Sequence, residues 1–144
     1  MYIHAISNHT QFLFYSFHRE DGMDVAELVS VCWLDVKGKM GMNPLKFVRG
    51  QVYATSFVMK RTCDAQNVHN IKLALEFNCC KPRIEKVVDL TKMPANTWTL
   101  VNVADFEADF GGIGVDMTVS LVNHEDVWKS GLKIAGIIVQ PVVF

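Results

Sequence analysis

Gln51-Val52-Tyr53-Ala54-Thr55-Ser56-Phe57-Val58-Met59-Lys60 sets Tyr53, Thr55, Phe57 and Met59 against Val52, Ala54, Ser56 and Val58. Side chains on a strand point alternately to opposite faces, so this period of two predicts a β-strand with one face in a core. The rhythm recurs. Ile71, Leu73, Leu75 and Phe77 oppose Lys72, Glu76 and Asn78, and Val115, Met117, Val119 and Leu121 oppose Asp116, Thr118 and Ser120. Near the end, Leu132, Ile134 and Ile138 oppose Lys133, Ile137 and Val139. This last segment is apolar on both sides, which implies a central position in a sheet or a face covered by a partner subunit. Short alternating segments separated by Gly, Pro, Asn and Asp predict an all-β fold, a jelly-roll-like β-sandwich of two antiparallel sheets with a few short helical turns.

Residues Asp24 to Trp33 read two ways. Val25, Leu28, Val29 and Cys32 fall at helical spacing behind an Asp24/Glu27 capping box, whereas Val29, Val31 and Trp33 alternate. The β-branched enrichment selects a strand over 29–36, with Trp33 in the core. Asp105 to Phe110 reads as one helical turn leading into a turn at Gly111-Gly112-Ile113-Gly114. Lys39 to Lys46 and Cys63 to His69 read as loops.

The 144 residues fit a single domain, 1–144, able to bury roughly two-thirds of its unfolded surface without staples. No apolar run approaches the ~20 residues a membrane helix needs, so no membrane insertion is expected. Met1-Tyr2-Ile3-His4 has no secretory character, which points to the cytoplasm and makes Asn8-His9-Thr10 a glycosylation acceptor in pattern only. A net charge of −1 with mixed signs offers no footprint for nucleic acid. Cys32, Cys63, Cys79 and Cys80 form no Cys-x-x-Cys and have no histidine at zinc spacing, so neither metal nor other cofactor is expected.

Catalytic patterns are missing too. Ser130-Gly131 lacks the first glycine of a nucleophile elbow, the glycine cluster lacks the Lys-Ser/Thr of a phosphate loop, and His4, His9, His18 and His69 are scattered. A sugar hydrolase would need two carboxylates roughly 5 to 9.5 Å apart across a cleft, and the sequence nominates no such pair. His124-Glu125-Asp126 reads as a solvated hairpin loop that serves at most as the polar rim of a binding site. Aromatics are the richer material, because sugars gain affinity when their C–H faces lie on rings. Phe12, Phe14, Tyr15, Phe17 and His18 crowd seven positions, as a platform or as two rows of core. Trp98 is core or site, and Trp128 is a sugar platform or the seal of a sandwich end.

Four segments carry a family resemblance: Val25-Ala26-Glu27-Leu28, Cys32-Trp33-Leu34-Asp35-Val36-Lys37-Gly38-Lys39, Tyr53 to Lys60, and Trp128-Lys129-Ser130-Gly131-Leu132 running into Ile134-Ala135-Gly136-Ile137-Ile138-Val139. Their order and spacing, from about residue 24 to the end, resemble the phloem protein two (Nictaba-related) family of plant lectins, near the small cucurbit phloem lectins. The resemblance implies a non-catalytic lectin for N-acetylglucosamine oligomers, such as chitooligosaccharides and the N-glycan core, with an extended aromatic site. It also implies residence in phloem sap or sieve elements, a role in defence or transport, a homodimer, and cysteines that cross-link to phloem partners when sap meets air. Exposed members of Cys63, Cys79 and Cys80 would be those cysteines. Tyr15 and Phe17 stand where related sequences carry tryptophans, and acidic residues of some members fall near Gly114 and Leu121.

The expected carbohydrate-binding set is Tyr15, Phe17, His18, Trp98, Asn123, Glu125, Trp128 and Lys129. Tyr15, Phe17, Trp98 and Trp128 would stack on pyranose faces, while His18, Asn123, Glu125 and Lys129 would hydrogen-bond hydroxyls and the acetamido group. The alternative is a structural or adaptor sandwich that binds protein partners or cross-links filaments through its cysteines.

Overall fold

The computed structural model describes residues 15–42, 47–79, 81–110 and 114–143, with only the backbone of Tyr15 and Met42. Nine strands are described: β1 (Tyr15–Glu20), β2 (Met23–Leu28), β3 (Leu34–Met42), β4 (Val52–Gln66), β5 (Ile71–Phe77), β6 (Ile84–Val88), β7 (Thr99–Glu107), β8 (Val115–Asn123) and β9 (Ser130–Pro141). They form a five-stranded sheet of order β1-β2-β9-β4-β7 facing a four-stranded sheet of order β3-β8-β5-β6, with antiparallel pairing throughout. The expected all-β sandwich is what the chain forms. A short 3-10 turn, Leu90–Lys92, is capped by the Asp89 carboxylate accepting from the Thr91 amide at 3.0 Å.

The core lies between the sheets and follows the alternation. Phe57 and Met59 of β4, Leu73 and Leu75 of β5, Met117, Val119 and Leu121 of β8, and Leu132 and Ile134 of β9 are all buried in it. One bulge revises the parity of β9. Val58 pairs with Gly136 and Met59 with Ile134, so Ala135 is an extra residue on β9. An inserted residue turns every later side chain to the other face. Ile137 and Val139 therefore join the core, and Ile138 packs on the outer face with Val25, Val58 and Ala135. That is why β9 is apolar on both sides: it runs centrally between β2 and β4, and the outer apolar row is covered within the chain.

Other expectations change where the chain switches sheets. The strand expected over 29–36 is broken: β2 ends at Leu28 in one sheet, β3 begins at Leu34 in the other, and Val31 makes an isolated bridge to Lys129 between them. Lys39 to Met42 continues β3, β4 runs on to Gln66, and Asp105 to Glu107 belongs to β7 rather than to a helical turn. Asn67 and Asn70, with φ of 57° and 59°, make the turn into β5. Asn8, Phe12, Phe14, Cys80 and Gly111 to Ile113 lie outside the described residues.

Candidate functional site at the loop end

Three connections meet at one end of the sandwich: residues 29–33 between β2 and β3, 67–70 between β4 and β5, and 124–129 between β8 and β9. Val31 and Lys129 exchange backbone hydrogen bonds at 2.9 and 2.8 Å and join the first connection to the third. The Asn123 side chain donates to the Asn70 carbonyl at 3.0 Å and accepts from the Glu125 amide at 2.8 Å, tying the second to the third. The Asn67 amide donates to the Trp128 carbonyl at 2.7 Å, and the Asn70 amide donates to the Glu125 carboxylate.

On this braced backbone stands Trp33, 46% exposed. Its ring stacks on that of His124, with centroids 3.6 Å apart and 10° between the planes. His124 Nε2 lies 3.6 Å from Asp35 Oδ2, and Asp35 Oδ1 is buried with no hydrogen-bond partner among the described residues. Trp128, 54% exposed, and the exposed Val29 and Val127 belong to the same end. Below them, the Cys32 thiol donates to Asp126 Oδ1 at 3.3 Å; burial, then that carboxylate, raises its pKa. Two tryptophan rings bordered by an imidazole, carboxylates and amides give apolar faces beside hydrogen-bonding groups, the mixture a sugar requires.

Trp33 was expected in the core, and the sheet crossover is what turns it out. His124 was expected at most in a polar rim, not as a ring stacked on tryptophan, and Asp35 was not expected at a site. The sequence signal was present only as the polar triplet 124–126, whose partner ring sits on a distant segment. Lys129 departs from its expected role. It is fully buried, and its ammonium donates to the carbonyls of Cys32, Glu125 and Val127 at 2.5, 2.7 and 2.9 Å, leaving no donor for a sugar hydroxyl. Desolvation lowers its pKa against the pull of Cys32, Glu125 and Asp126. Asn123 is likewise buried and occupied by the loop backbone. Of the expected set, Glu125 and Trp128 remain exposed here.

The rest of the set lies on the β1–β2 hairpin and the outer face of the five-stranded sheet. The turn of the hairpin leans past β9 to reach β4 and β7: Glu20 bonds Lys133 at 2.7 Å and Lys60 at 3.0 Å, and Trp98 Nε1 donates to Asp21 Oδ2 at 2.8 Å. The Lys60 ammonium stands 4.9 Å from the Trp98 ring centroid. Hydrogen bonds from Lys133 and Lys60 hold the Glu20 carboxyl well below its ordinary 4.5, at about 2. Trp98 also packs against the small cluster of Val25, Val58 and Ala135. Its N–H and one ring face are thus committed to holding the hairpin down. His18 Nε2 lies 3.8 Å from Glu20 Oε1, and Phe17 is 57% exposed on the opposite side of β1. Only the backbone of Tyr15, at the start of β1, is described. The hairpin group and the loop-end group do not form one site through any described contact.

The family model for phloem protein 2 matches residues 1–141. The chain belongs to the phloem protein 2 family. It is 33% identical over 125 residues to PHLOEM PROTEIN 2-LIKE A1 of Arabidopsis thaliana, covering 84% of this chain and 49% of that protein. It is 28% identical over 122 residues to a protein named Lectin from Luffa acutangula, covering 83% of this chain and 56% of that one. This phloem protein 2 chain thus spans about half the length of the curated relatives it matches. The solved structure described as "CBM4 structure and function" superposes with a TM-score of 0.49 at 16% identity, covering 88% of this chain and 76% of that one. The fold itself rests on the strand registers given above. No helix among the described residues is long and apolar enough to cross a membrane.

Proposed function

We propose that this phloem protein 2 chain is a non-catalytic lectin for N-acetylglucosamine oligomers, and that it reads them at the loop end. The observation that carries the reading is Trp33, exposed and stacked flat on His124 at the end that also bears Trp128. The Trp33 and Trp128 rings take the pyranose C–H faces, while His124, Glu125 and Asn70 lie at the rim for hydroxyls and the acetamido group. Family membership and the lectin name of the Luffa relative support a carbohydrate ligand. A homodimer would present two such ends and raise avidity on multivalent glycans without new contacts. Phloem sap and a part in defence follow from the same family reading.

Isothermal titration with chitotriose tests it. Saturable heat with a single ligand per chain, weakened about thirtyfold in Trp33→Ala, supports the proposal; absence of heat at millimolar sugar, repeated at a second temperature, refutes it. A second reading, an adaptor cross-linked through cysteines, is favoured by the exposure of Cys63 and Cys79. Redox-dependent oligomers without glycan retention would support that reading.

A further inference from the structure

We propose that Lys129 is the positioning residue of the loop end: its ammonium fixes the Trp33-bearing connection against the one bearing His124 and Trp128. An ammonium has three donors, and here all three meet backbone carbonyls. One belongs to Cys32, next to Trp33; the others belong to Glu125, next to His124, and Val127, next to Trp128. Each aromatic residue of the site therefore adjoins a carbonyl held by the same nitrogen. The backbone of Lys129 pairs with Val31 as well, so one residue clamps both connections by main chain and side chain.

The energetics support a positioning role. A buried ammonium is costly unless hydrogen bonds replace its water, and converging buried carbonyls are costly unless a donor meets them. Each group answers the other's need only when the two connections sit in this relative placement. Removing the ammonium leaves three carbonyls seeking partners and lets the connections separate, whereas the sandwich beneath is held by its own strand pairings. A ligand that needs preformed rings would then meet a loosened site. This last step alone rests on the glycan reading given above.

The test follows the indole N–H resonances of Lys129→Met, a substitution that keeps the stem and removes the ammonium. The Trp33 resonance, assigned as the one lost in Trp33→Phe, should show nuclear Overhauser contacts to the stacked His124 ring in the wild type. In K129M those ring contacts should vanish while the Trp98 resonance, reporting the hairpin contact with Asp21, stays in place. Chitotriose affinity should fall at least about tenfold. A K129M protein that keeps both the Trp33–His124 ring contacts and wild-type affinity overturns the proposal. Loss of the ring contacts with affinity unchanged upholds the positioning and removes the sugar from the loop end instead. If the Trp98 resonance is lost too, the wild type decides. Slowly exchanging Lys129 ammonium protons with couplings to the carbonyl carbons of Cys32, Glu125 and Val127 uphold the pin, and exchange as fast as that of a surface lysine overturns it.

Discussion

The indole of Trp33 lies flat on the imidazole of His124, although the first precedes β3 and the second follows β8. The two residues flank Leu34 and Asn123, which face each other in the β3–β8 register, so neighbouring strands of one sheet deliver the rings side by side. An aromatic pair at this spacing is stable with one edge in water, and it offers a ready-made flat surface.

Replacing Trp33 by Ala should weaken chitotriose binding by about 2 kcal/mol, about thirtyfold, because a ring at the centre of a small site carries much of its affinity. Strand circular dichroism should be unchanged, since nearly half of the residue is exposed. Titration calorimetry and far-ultraviolet circular dichroism, measured on the same sample, check the two halves of this expectation.

Trp98→Ala should behave oppositely. Its N–H holds Asp21 and its ring covers Val25, Val58 and Ala135, so the loss should cost about 1–3 kcal/mol of stability. Chitotriose affinity should stay within about twofold of the wild type. Urea unfolding gives the first value and calorimetry the second.

Glu20 supplies an acid-limb signature. Its carboxyl is held at about 2 in the folded protein against an ordinary 4.5. A depressed folded pKa contributes stability above the ordinary value and loses it as pH falls towards the folded one. The wild type should therefore lose its advantage over Glu20→Gln progressively between pH 4.5 and about 2, and hold it in full above that window. Urea midpoints of both proteins across this range give the curve.

Gly131 has φ +85°, and a Cβ there would lie 2.5 Å from Ala65 Cα and 2.6 Å from Thr62 Oγ1. Backbone strain and a clash with main chain coincide, so Gly131→Ala should destabilise by about 2–4 kcal/mol. A fall in melting temperature of several degrees is the expected reading.

The strands of β4, β5 and β8 were legible because alternation is a local property: the backbone of an extended chain sends neighbours to opposite faces wherever it lies. The same rule misplaced Ile137, Ile138 and Val139, because Ala135 is an extra residue against β4 and the shift exists only relative to that partner. Trp128 and Glu125 were legible as site candidates from their position beside a polar loop. Asn123 and Lys129 carried the same signal and turned out to be the scaffold beneath it, since a polar side chain's partners are chosen by which carbonyls the fold brings within reach.

The sequence by itself determined the all-β class, the faces of most strands up to the first bulge, and the family to which the chain belongs. Each depends on residue order alone. Only the tertiary structure decided that Trp33 faces solvent, that Lys129 is buried, and that Trp98 serves the hairpin. In each case the environment comes from residues far along the chain: the crossover at Val31, the carbonyls of two separate connections, and the carboxylate of Asp21. Exposure and hydrogen-bond partnership are relations between segments, and folding alone brings those segments together.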